Sequence, residues 1–169
     1  ASLLPDLAIV DYENTKSSPK SITASTGLDA LTHAVEAYTS KQAQPLTDAL
    51  AISAVGRIFK NLPVAYKDGE NDAARREMSI AALEAGICIN NSSVTIVHGM
   101  SRPIGALFHV PHGLSNAMLL CQCMEFAKDG AVERFAELSR AVGTADASDS
   151  DEQAADRFID GLVEICKKC

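Results

Sequence analysis

Four histidines are all that this 169-residue chain contains, and they are not scattered. His98, His109 and His112 fall close together, and His33 lies one helical turn after Asp29. Residues four apart stand on one face of a helix, so the Asp29 carboxylate and the His33 imidazole can converge on a single point. A pair of that kind can bind one divalent cation. Its neighbours Leu28, Ala30, Leu31 and Ala34 are apolar, and a carboxylate buried among them needs a counter-charge that a metal would provide. Closing the shell takes two more ligands. On one straight helix His98 and His112 would lie roughly 21 Å apart, too far to share an ion. Pro103, Gly105 and the VPHG turn offer places for the chain to double back. The candidate metal ligands are therefore Asp29, His33, His98 and His112. One carboxylate with three imidazoles suits Fe²⁺ or Zn²⁺, whereas Mg²⁺ and Ca²⁺ prefer oxygen shells. From spacing alone two plainer readings stay open: a helix-surface ion pair for Asp29 and His33, and a turn role for a histidine beside Pro and Gly.

The elements that must position these groups read as helices joined by short loops. Apolar Leu28, Leu31, Val35 and Tyr38 recur at helical spacing, with Ser25 or Thr26 as a candidate cap, over a helix to Ser40. Pro45 suits the first turn of a second helix that should stop at Pro63. Asn71 or Asp72 caps a third, largely apolar helix over 73–90. Residues 92–108 are expected to be helical with a kink or restart at Pro103, followed by a turn at HVPHG. Further helices cover 113–128 and 131–142, the latter ending at Gly143. Ser150 and Gln153 resemble a capping box that opens a last helix to Lys168. LAIVD (7–11) reads as a short β segment, which either packs as an extended tail or pairs with strands outside this sequence. The fold class expected is all-α, a bundle of about seven helices with a short N-terminal extended segment.

Composition narrows the function. With 15 basic and 22 acidic residues the net charge is −7, which argues against nucleic acid and anionic membrane as partners. The absence of Trp disfavours a base-stacking surface. No apolar run is long enough to span a bilayer, and the first residues do not look like a secretory signal. Five cysteines form no disulfide framework, so a reducing, cytoplasmic setting is expected. Cys121 and Cys123 read as buried small hydrophobes, and Cys166 and Cys169 as an oxidisable tail. Met78, Met100, Met118 and Met124 read as core. No GxGxxG or Walker-type loop occurs, so no phosphate cradle is expected in this chain. GxSxG is absent, which disfavours a serine hydrolase.

TGLDALTHAVEAYTS (26–40), VHGMSRPIGALFHVPHG (97–113) and GLSNAMLL (113–120) resemble the metal-binding domain of iron-containing (group III) alcohol dehydrogenases. The resemblance runs from about Leu4 to at least Lys128, and the tail helices also suit it. It implies a helical domain like the C-terminal domain of dehydroquinate synthase-like proteins. It also implies that Asp29, His33, His98 and His112 bind the catalytic Fe²⁺ or Zn²⁺. Many members carry a further histidine one turn after the third ligand, where this chain has Arg102. His109 belongs to the subgroup with FHVPHG and is expected to face substrate or nicotinamide. Arg102 and His109 are thus the candidate catalytic residues, with a backbone-bonded turn histidine an equal reading for His109.

The implied reaction is hydride transfer between an alcohol carbon and NAD or NADP, giving an aldehyde or ketone, with the metal as Lewis acid. The expected partners are a small alcohol or aldehyde and a second copy of the chain in a homodimer. In that family NAD(P) is bound largely by another domain. Residues 1–20 are therefore expected to end a nucleotide-binding domain or linker, and 21–169 to form the metal-binding domain of a C-terminally truncated fragment with little activity alone. Two rivals are an HD-type metal-dependent phosphohydrolase, which needs an adjacent His-Asp dipeptide that the chain lacks, and a non-catalytic helical interaction module.

Overall fold

The computed structural model describes residues 5–169. Leu4, where the resemblance begins, and the start of the 1–20 segment lie outside the described residues. Seven α-helices follow one another: α1 (Lys20–Thr39), α2 (Pro45–Lys67), α3 (Asp72–Asn91), α4 (Ile96–Phe108), α5 (His112–Ala127), α6 (Val132–Val142) and α7 (Asp151–Lys168). No strand occurs among the described residues, as the all-α reading expects. LAIVD (7–11) pairs with no strand among the described residues and runs exposed and non-helical, as an extended segment. Ile9 is 84% exposed there, so the apolar run is not covered by the helices of the described residues.

Helix α1 is the axle of the bundle, packed against α2, α3 and α5. Leu31, Ala34, Val35 and Ala37 are fully buried and meet Ala51, Val55, Ile58 and Leu62 of α2. Phe135 of α6 and Phe158 of α7 close the far side, with ring centroids 5.9 Å apart. Among the described residues no single helix is long and apolar enough to cross a membrane.

Three boundaries differ from the sequence-based expectation for local reasons. Helix α1 starts at Lys20, ahead of Ser25 and Thr26. The Pro19 carbonyl already accepts from the Thr23 N–H (2.9 Å). The Ser25 and Thr26 hydroxyls donate back to the Ile22 carbonyl instead of capping. Helix α2 runs through Pro63, because burial of Leu62 and Ala65 on either side outweighs the one missing backbone donor. Helix α4 starts at Ile96, four residues later than expected, and continues through Pro103 without restarting. The reversal falls at the expected HVPHG turn, on His109, the one non-glycine residue with positive φ (56°) among the described residues. Caps at Asn71, Ser150 with Gln153, and Gly143 (φ 79°) fall where expected. Met124 is core, but Met118 is 64% exposed and Met100 also faces outward, so the methionine reading holds only in part.

Candidate metal centre

Helix α1 carries Asp29 and His33 one turn apart. His98 stands in the first turn of α4, and His112 opens α5. The left-handed turn at His109 folds α5 back along α4, bringing His112 beside His98 despite their separation in sequence. The Asp29 Oδ1 lies 3.9 Å from His33 Nε2, 3.9 Å from His98 Nε2 and 3.7 Å from His112 Nε2. One donor atom from each of the four residues falls within 4.8 Å of every other. The His33 and His98 rings stack with centroids 4.6 Å apart, and His98 and His112 are tilted at 5.2 Å. His112 is the most open of the four, its side chain 51% exposed, whereas His98 is buried. The cluster therefore has a sealed side and an open side.

Glu36 fixes the sealed side. It is fully buried two turns after Asp29, and its carboxylate accepts from Thr95 Oγ1 (2.8 Å), the Val97 N–H (2.7 Å) and His98 Nδ1. Burial pushes this carboxyl upward, but the hydrogen bonds from His98 and Thr95 outweigh it and hold the group below the ordinary carboxylate range. With Nδ1 donating to Glu36, the lone pair of His98 sits on Nε2, facing Asp29. Burial likewise lowers His33, which favours its neutral, electron-donating form.

Asn116, one turn after His112 and fully buried, covers another part of the cluster. Its Nδ2 donates to Asp29 Oδ1 (2.5 Å) and lies 3.0 Å from His98 Nε2 and 3.2 Å from His112 Nε2. Its Oδ1 is buried without a hydrogen-bond partner among the described residues. Neither Glu36 nor Asn116 was singled out from sequence. The signals were there: each is a polar residue at helical spacing from a candidate ligand, on its inward face.

One carboxylate, three inward-facing imidazole nitrogens and a buried carboxylate behind one of them make a donor set that fits Fe²⁺ or Zn²⁺. Arg102 and His109 contribute no atom to it. Both are exposed on the stretch after His98, and the His109 backbone N–H bonds the Gly105 carbonyl at the end of α4.

Gly113 lets the two ligand helices approach. A Cβ there would lie 2.7 Å from the Ser25 carbonyl oxygen and 3.0 Å from its carbon, both backbone atoms of α1. Gly113→Ala must therefore push the start of α5 away from α1. A loss of about 1–3 kcal/mol is expected, read as a lower Tm in thermal denaturation; an unchanged Tm would show that α5 is free to slide.

Comparison with known proteins adds an independent finding. Residues 23–169 match the model for the Fe-containing alcohol dehydrogenase family, C-terminal. The probable alcohol dehydrogenase EutG of Escherichia coli (strain K12) is 46% identical over 151 residues, 89% of this chain and 38% of its own length. Among solved structures, a 1,3-propanediol oxidoreductase superposes with a TM-score of 0.95 at 38% identity, covering 98% of this chain and 43% of that one. The sulfoacetaldehyde reductase from Bifidobacterium kashiwanohense, solved in complex with NAD+, has a TM-score of 0.81 at 36% identity over 96% of this chain and 42% of its own. This chain thus spans about two fifths of the length of the proteins it matches.

Proposed function

Because the chain belongs to the iron-containing alcohol dehydrogenase family, we propose that residues 21–169 form the metal-holding half of an enzyme that interconverts alcohols with aldehydes or ketones at the expense of NAD or NADP. Residues 1–20 then lead in from the nucleotide-binding part. The observation that carries this reading is the convergence of Asp29, His33, His98 and His112 on one point. A bound Fe²⁺ or Zn²⁺ would supply Lewis acidity toward the substrate oxygen.

The chain's own residues do the rest. Asp29 brings the one negative charge in the donor set. Glu36 holds His98 in the tautomer that presents Nε2, and Asn116 steadies the Asp29 carboxylate through its N–H. The exposed edge at His112 leaves a side by which a small alcohol can enter. We assign Arg102 and His109 to the substrate and nicotinamide side on the strength of their motif positions and exposure. A homodimer in the cytoplasm belongs to the same reading and is supported by the family resemblance and the five free thiols.

Loaded anaerobically with Fe²⁺ or with Zn²⁺ and then desalted, the chain is expected to keep about one ion by elemental analysis, and chelation should lower its Tm. Retention of no ion, with the same melting in the presence of chelator, would remove the reading and leave a helical interaction module. Nothing in the site favours the phosphohydrolase alternative, which needs a His-Asp dipeptide.

A further inference from the structure

Sequence spacing couples Cys166 to Cys169, but the fold couples Cys166 to a different thiol. Cys121 of α5 and Cys166 of α7 face each other with their sulfurs 3.8 Å apart, in contact across the helix interface. The other cysteines have no such partner among the described residues. Cys88 is buried against the Thr47 carbonyl, and burial pushes its thiol up to about 11. Cys123 is buried and meets the Met100 sulfur. Cys169 lies beyond Cys166 at the end of α7, and burial raises it too.

We propose that Cys121 and Cys166 are an oxidative modification site, forming a disulfide between α5 and α7 when the chain meets a small disulfide oxidant such as oxidised glutathione. Both residues are half-buried, not sealed in the core. A surface recess bounded by Cys121, Gln122, Glu125, Ile159, Asp160 and Val163 gives a small oxidant a way in. Within the pair, the shared hydrogen bond holds Cys121 below the ordinary thiol range and raises Cys166. Cys121 lines that recess and Cys166 does not, so Cys121 is the first nucleophile.

The chemistry balances in two exchanges. The Cys121 thiolate attacks one sulfur of oxidised glutathione, forming a mixed disulfide and releasing one glutathione thiolate. Cys166, losing its proton to solvent, then attacks the Cys121 sulfur and expels the second glutathione. Two electrons leave the protein and reduce one glutathione disulfide to two thiols. Side-chain rotation must bring the sulfurs from 3.8 Å to the bonded distance of about 2.05 Å. The resulting bridge would tie α7 to the helix that presents His112 and Asn116.

The test uses the chain in oxidised glutathione without denaturant. Wild type is expected to lose about 2 Da, the mass of two hydrogens, and to yield a proteolytic peptide pair joining Cys121 to Cys166. Cys121→Ser and Cys166→Ser should each abolish that pair, while Cys123→Ser and Cys169→Ser keep it. A bridge between Cys166 and Cys169, stable glutathione adducts with no bridge, or no reaction would each overturn the assignment. So would a bridge whose formation lowers Tm, since the fold would then have to distort to admit it.

Discussion

Asp29→Ala is expected to lower divalent-metal affinity at least about tenfold while the metal-free chain stays helical. Asp29 supplies the only carboxylate among the four converging donors, and its Oδ1 faces all three imidazole nitrogens at 3.7–3.9 Å. Without it, three neutral nitrogens remain, and the attraction between an anionic ligand and a dication is lost. Asn116 Nδ2 loses its closest acceptor as well. Alanine suits a helix interior, so the backbone of α1 has no reason to fail. Competition against a chromophoric chelator reads the affinity, and circular dichroism reads the helices. An Asp29→Ala chain that binds metal as wild type does would show that the carboxylate is no ligand.

Glu36→Ala should be the most damaging single change to stability. The fully buried carboxylate holds three donors at once, one a backbone N–H at the start of α4 and one an imidazole. Truncation leaves the Val97 N–H and His98 Nδ1 unpaired and opens a void beside α1. A cost of about 3–5 kcal/mol is expected, enough to lower Tm by roughly 10 °C. Glu36→Gln separates stability from tautomer control. Its amide oxygen can still accept from Val97 and Thr95, but its NH₂ turned to His98 asks Nδ1 to accept. The proton then moves to Nε2, the atom aimed at Asp29. The glutamine variant should therefore melt closer to wild type yet bind metal about 10–100-fold more weakly. Equal metal affinity in Glu36→Gln and wild type would show that Glu36 does not set the His98 tautomer.

Much of the helical plan was legible because it rests on short-range physics. The Asn71 cap, the Ser150–Gln153 box, Pro45 in the first turn of α2 and the left-handed Gly143 each act within one turn of backbone. What misled was also local. Pro63 looks like a stop, yet α2 continues through it, held by buried Leu62 and Ala65 on either side. The reversal between α4 and α5 falls on His109, and no local rule makes a histidine take a left-handed backbone there.

By itself the sequence determined that Asp29 and His33 share a helix face, since a four-residue spacing leaves a helix no other choice. It also carried the blocks around His98 and His112 that place the chain in its family. Only the tertiary structure decided that these two histidines meet that pair, that Glu36 and Asn116 stand behind them, and that Cys166 faces Cys121. Each of those contacts joins residues of different helices, at a distance set by how side-chain volumes pack between them.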